Sequence, residues 1–229
     1  VALATPLLPA DAVSDAVGAT VRLKCESLQR AGSFKIRGAF NFVSQLSDEQ
    51  VAGGIITYSS GNHAQAVALA GQLRGVRAVV VMPTTAPKVK VEGARRLGAE
   101  VFLEGTTSVE RKARAEAIAR EDGLAMVPPF DHRHIIAGQG TVGFEIARAW
   151  PDVDRVLVPI GGGGLASGVA AAVKRLLPRA RVVGVEPEGA ASMRAALDAG
   201  RPVKLDRIDT IADGLAPVIS GQLTFEHAE

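Results

Sequence analysis

The sequence predicts an α/β fold with parallel sheets, and three observations predict it. Apolar strand-like runs alternate with helix-like stretches along the whole chain. A polar turn, Ser59-Ser60-Gly61, joins a short apolar run to a helical pattern. Four consecutive glycines, Gly161, Gly162, Gly163 and Gly164, join a second such pair further on. Turns that follow the C-terminal ends of parallel strands are where α/β folds bind ligands.

The elements follow in order. Residues 21–25 read as a strand, and Gly32-Ser33 as a turn and N-cap before a helix with Lys35 in its first turn. Between residues 54 and 131, strands near Ile55, Val79, Val101 and Met126 alternate with helices starting near Asn62, Lys88 and Ser108. Pro128-Pro129 ends that block. A helix over 136–150 places Val142, Ile146 and Trp150 on one face. The strand 155–160 then enters the glycines, an Ala/Val-rich helix runs to about Leu177, and a strand spans 181–186. No repeat or low-complexity segment interrupts the pattern.

Three constellations carry chemistry. Lys35 sits at a helix start between Phe34 and Ile36, where the helix dipole and Arg37 both disfavour its charged form. A depressed pKa is what an amine needs to attack a carbonyl. The alternative is a solvated lysine that begins an ordinary helix. The turn's free N–H groups and hydroxyls suit an anionic group such as a carboxylate, and the Asn62 amide can bond a ring oxygen. Simple helix capping by the serines, with His63 orienting the loop, is the competing account. Four glycines cost backbone entropy, but they permit positive φ and let amides close around a phosphate at a helix N-terminus.

Composition sets limits. A chain of 229 residues, 47% hydrophobic, can bury roughly 70–75% of its unfolded surface in one or two domains. No run of about 18 uncharged apolar residues or signal-like start is present, so no membrane partner is expected. The single Cys25 excludes an internal disulfide and fits a reducing cytoplasm. With net charge +2, dispersed basic residues and 4% aromatics, nucleic acid is not an expected partner.

Lys35 in Ser33-Phe34-Lys35-Ile36-Arg37-Gly38, the turn Ser59-Ser60-Gly61-Asn62-His63 and the four glycines, in this order and spacing, resemble the fold-type II pyridoxal-phosphate enzymes. The resemblance is to the threonine dehydratase (threonine ammonia-lyase) and serine racemase branch, and spans essentially the whole chain. Thr5-Pro6-Leu7, Pro87-Lys88-Val89-Lys90, residues 136–141, Val185-Glu186-Pro187 and Thr210-Ile211-Ala212-Asp213-Gly214 resemble further landmarks.

The resemblance implies a two-domain, tryptophan-synthase-β-like architecture. Residues 54–131 would be a small mobile domain, and 1–53 with 132–229 a large cofactor-binding domain, incomplete at its C-terminus. It implies β-elimination of a hydroxy amino acid, L-threonine or L-serine, to a 2-oxo acid and ammonia by a cytoplasmic dimer or tetramer. Lys35 would hold pyridoxal 5'-phosphate covalently and remove the α-proton. Phe34 would pack on the ring, Asn62 would bond its oxygen, and Gly161, Gly162, Gly163 and Gly164 would bind its phosphate, with Gly214 near its edge. Ser59, Ser60, Gly61, Asn62 and His63, faced by Gln139, would receive the substrate carboxylate. Ser60 could return a proton from the second face, giving amino-acid racemisation, or serve only as a cap or carboxylate ligand. Glu186 and the Ala190 carbonyl would form a weakened site for a monovalent or divalent cation, because Ser192 stands where relatives have an acid. A reading from another class takes Gly161, Gly163 and Ala166 as the glycine fingerprint of an NAD-binding Rossmann fold, with Glu186 as its ribose-binding acid.

Overall fold

The computed structural model describes residues 1–229. Near the N-terminus β1 (Leu7–Pro9), α1 (Asp11–Val17) and β2 (Arg22–Lys24) precede α2 (Lys35–Ser44). The middle of the chain runs β3 (Ile55–Tyr58), α3 (Asn62–Arg74), β4 (Ala78–Met82), α4 (Lys88–Arg96), β5 (Glu100–Leu103), α5 (Ser108–Asp122) and β6 (Ala125–Met126). After it come α6 (Arg133–Ala149), β7 (Arg155–Pro159), α7 (Gly164–Leu176), β8 (Arg181–Val185), α8 (Ser192–Ala199) and α9 (Gln222–Ala228). No helix is long and apolar enough to cross a membrane.

The expected α/β architecture is present. One four-stranded sheet has the order β5-β4-β3-β6 and is parallel throughout. A second, two-stranded sheet pairs β7 with β8 in parallel, from Arg155 opposite Arg181 to Pro159 opposite Val185. Strand β2 lies within the strand expected over 21–25, whereas its antiparallel partner β1, like α1, was not anticipated: these short, largely exposed segments carry no long apolar pattern.

The central strands β3 and β4 of the four-stranded sheet are sealed on both faces, which is why they are almost continuously apolar, while the edge strand β5 stays largely exposed. Ile55, Ala78, Val80 and Met82 pack with α2, α3 and Val91 of α4 in the largest core cluster. Their alternates Ile56, Val79 and Val81 pack with Ala115 and Ile118 of α5 on the other side. The β7-β8 pair is sealed on one face only, where Val156 and Val158 meet Val142 and Ile146 of α6 and Val169 and Val173 of α7.

Helices α2 and α6 cross at glycines. A Cβ on Gly138 would collide with the backbone of Arg37 and Gly38, so no larger residue allows this approach. At this crossing the Gln139 side chain, itself buried, accepts the Gly38 N–H at 3.2 Å. The crossing places α2, which begins with Lys35, against the start of α6.

Candidate active site

The chain enters α2 through a tight 3-10 turn, Arg30–Gly32, with Ala31 and Gly32 at φ 57° and 71°. Ser33 does not cap the helix as expected. It is extended, the N-cap is Phe34, and no side-chain bond closes the end. Phe34 already has helical φ/ψ, so Ser33 lies outside the helix, with a buried hydroxyl that has no partner.

The Lys35 amine donates to the Pro129 carbonyl at 2.8 Å and lies 5.4 Å from the centre of the Phe34 ring. Burial lowers its pKa from 10.5 to about 8. The direction is as expected, but the cause is desolvation rather than the charge of Arg37.

Arg37 is neutralised. It points away into a balanced cluster of two cations and two carboxylates. Its Nε and Nη2 both reach Glu26 at 2.8 Å, and Nη1 and Nη2 reach Glu145 at 2.6 and 2.9 Å. Lys24 completes the cluster, donating at 2.5 Å to both Glu145 and the Thr5 carbonyl. Nη1 also donates to Thr141 and Nη2 to the Leu3 carbonyl, both at 3.0 Å. With the Arg37 side chain 1% exposed, each bond is worth more than a surface pair, and together they pin α2 to α6 and to the N-terminal segment.

The polar turn follows β3. Ser59 Oγ accepts the Gly61 N–H at 3.2 Å, and neither serine caps α3, whose N-cap is Gly61 without a side-chain bond. Ser60 and Asn62 are exposed, whereas His63 is 3% exposed. His63 Nε2 lies 3.3 Å from the Val127 carbonyl, which sets it as the protonated nitrogen and leaves the buried Nδ1 without a partner. Burial, and then the charge of nearby Lys35, pushes the His63 pKa down to about 3, so the ring is neutral.

The glycine loop follows β7 and opens α7. Gly163 needs its missing side chain: its φ is +94°, and a Cβ would stand 2.6 Å from Cβ of Thr224. A Cβ on Gly162 would collide with the Phe130 ring, and one on Gly161 would stand 3.2 Å from the carbonyl oxygen of Gly214. Gly161 and Gly214, far apart in sequence, are therefore neighbours. Helix α7 has 13 residues and no acid in its first turn, so its positive end is uncompensated. A strip of backbone amides without side chains of its own at such an end fits a phosphate group, and a half-buried amine of lowered pKa fits an aldehyde.

Sequence reasoning missed the segment that joins these walls. The Pro129 carbonyl holds the Lys35 amine, the Phe130 ring packs on Gly162 and its backbone on Gly164, and the Asp131 carboxylate accepts the N–H groups of Gln222 and Thr224 at 3.0 and 3.1 Å. Thr224 then donates to the Gly162 carbonyl at 2.7 Å. The one available signal was Pro128-Pro129, read only as the end of a block.

Gln139 is held at Gly38, as described above. Glu186 accepts the N–H groups of Met193 and Arg194 at 2.8 and 2.9 Å, so both its oxygens close the first turn of α8. Ala190 is buried, and no group of three His, Cys, Asp or Glu side chains could hold a metal ion.

A family model described as pyridoxal-phosphate dependent enzyme matches residues 2–229. The biosynthetic, chloroplastic threonine dehydratase 2 of Solanum lycopersicum is 48% identical over 225 residues, 98% of this chain and 38% of that protein. The structure of the processed form of threonine deaminase isoform 2 from the same plant has a TM-score of 0.95 at 47% identity, covering 100% of this chain and 63% of that one. Maize serine racemase has a TM-score of 0.94 at 39% identity, covering 99% of this chain and 70% of that one. The chain thus spans little more than a third of the curated relative's length.

Proposed function

This chain belongs to the pyridoxal-phosphate dependent enzymes, and from that premise we propose that it catalyses β-elimination of a hydroxy amino acid, L-threonine or L-serine, to a 2-oxo acid and ammonia. The observation that carries the reading is the Lys35 amine. It is desolvated to a pKa of about 8 and held by the Pro129 carbonyl, on the segment whose next residue packs on the glycine loop. Family membership also decides against the NAD reading, and both Glu186 oxygens accept N–H groups in the first turn of α8.

Pyridoxal phosphate, when bound, supplies an aldehyde for the lysine and an electron sink for charge developing at the substrate α-carbon. Gly161, Gly162, Gly163 and Gly164 would hold its phosphate with backbone N–H groups at the positive end of α7. Phe34 would offer the ring an apolar surface, the exposed Asn62 amide would bond its oxygen, and Gly214 would line the edge beside Gly161. The amides and hydroxyls of Ser59, Ser60 and Gly61, with those at the start of α3, would orient the substrate carboxylate. Lys35 Nζ would take the α-proton, which its lowered pKa permits near neutral pH. Neutral His63 adds no charge beside it. Gln139 supports the reading from behind, holding α6 on α2. No step here draws on a cation at Glu186 and Ala190, and both Glu186 oxygens are engaged by N–H groups of α8.

A second activity has its own support. Neither serine is used to cap α3, which leaves the Ser60 hydroxyl available for a proton transfer from the other face, and maize serine racemase is a close structural neighbour. The test is an assay of the full-length protein with L-threonine and L-serine, following 2-oxo acid and D-amino acid together. Lys35→Ala should lower elimination by about three orders of magnitude, and borohydride should fix the cofactor at Lys35 alone. Ser60→Ala should lose D-product and keep elimination within about threefold of wild type. A trapped adduct on any other lysine would overturn the assignment.

A further inference from the structure

Lys90 is used by neither the core nor the chemistry above, yet it crosses the candidate site. It lies in α4, and its stem rests on the polar turn: a Cβ on Gly61 would stand 2.7 Å from Cδ of Lys90 and 3.2 Å from its Nζ. Only glycine lets the lysine lie there. The ammonium then reaches 2.5 Å to Asp213, 123 residues away. Asp213 begins a 3-10 turn, Asp213–Leu215, whose Gly214 carbonyl and Leu215 Cα lie against Gly161. One end of the pair therefore touches the Ser59-Ser60-Gly61 turn and the other touches the turn packed on the glycine loop.

We infer that Lys90 and Asp213 are a positioning pair that sets the separation of the two walls of the site, and with it access to Lys35. The wall contacts fit this role. The two sheets carry separate apolar clusters, and this ion pair links the polar turn to the segment packed on the glycine loop, beside the link that Pro129 and Phe130 make. The hydrogen bond from Lys90 also lowers the pKa of Asp213, which favours the ionised, paired aspartate. At 25% and 70% side-chain exposure the pair is a modest one, strong enough to bias the walls and weak enough to release them.

The inference rests on the proposed role of Lys35 only for its catalytic consequence, so the test reads access directly. Full-length protein freed of cofactor, so that the Lys35 amine is uncombined, is pulsed with acetic anhydride, and the acetylation rate of Lys35 is measured by mass spectrometry with exposed Lys112 as the internal standard. Lys90→Met and Asp213→Asn should each raise Lys35 labelling about threefold, the double variant no further, and the exchange Lys90→Asp with Asp213→Lys should restore the wild-type rate. In the loaded enzyme the single variants should raise KM for the amino acid by a similar factor with kcat little changed. Unaltered labelling in both single variants, or rates that multiply in the double variant, would overturn the pair. Altered labelling without any 2-oxo acid from any variant would leave the pair standing and sink the proposed activity instead.

Discussion

The four-stranded sheet and the β7-β8 pair are built from similar runs of valine, isoleucine and leucine, but water treats them differently. In the first, Ile55, Ile56 and Val79, Val80, Val81 are all fully buried, because α2 and α3 close one face and α5 the other. In the second, Leu157, Val183 and Val185 stay 66%, 42% and 45% exposed on the face away from α6 and α7. Each half donates one wall to the candidate site. The difference teaches that the polar turn hangs from a closed core while the glycine loop hangs from a sheet covered on one side, so the two walls need not share one stability.

Substitutions placed in one half or the other should differ in what they cost. The largest effect is expected at Ile56, where Ile56→Ala should cost about 2–5 kcal/mol in urea unfolding, through lost burial and the cavity left beside Ile118. A smaller, pH-linked effect belongs to the same half. His63 has a folded pKa of about 3 against an ordinary 6.5, so the unfolded chain binds the extra proton between those values. The folded state should therefore be fully favoured above pH 6.5 and lose stability as pH falls toward 3, and His63→Asn should flatten that part of the pH curve. A wild-type stability unchanged between pH 6.5 and 4 would contradict the buried neutral ring. The smallest effect is expected at Val183, where Val183→Thr should shift stability by no more than about 0.5 kcal/mol. A loss above about 1 kcal/mol would mean that the outer face of β7-β8 is covered in solution.

Much of the closed half was legible in the sequence. Its strands are short apolar runs bounded by turn residues, and its helices start where a turn or a capping box, Thr107 with Glu110, announces them. The glycine loop was legible for a related reason, since a row of glycines has few other uses. What stayed hidden was long in sequence and short in space. The Ser33 cap failed because helical φ/ψ at Phe34 shifts the helix boundary by one residue. The charge of Arg37 could not be known to be cancelled without Glu26 and Glu145, and no local pattern announces that Lys90 meets Asp213, that Gly214 meets Gly161 or that Phe130 covers Gly162.

The Arg37 cluster bears on the order in which the molecule comes into being. Its tie to Glu145 spans 108 residues of sequence, so α2 cannot be fixed in place until α6 has been made. On a ribosome adding about 5–20 residues per second, that delay is roughly five to twenty seconds. During it the apolar face of α2 can meet α3, α4 and the early strands but not α6. A nascent chain stalled before Glu145 should therefore carry Lys35 on a helix packed on α3 and tied to Glu26 but not yet locked to α6, and the window for misassembly closes only when the second carboxylate arrives.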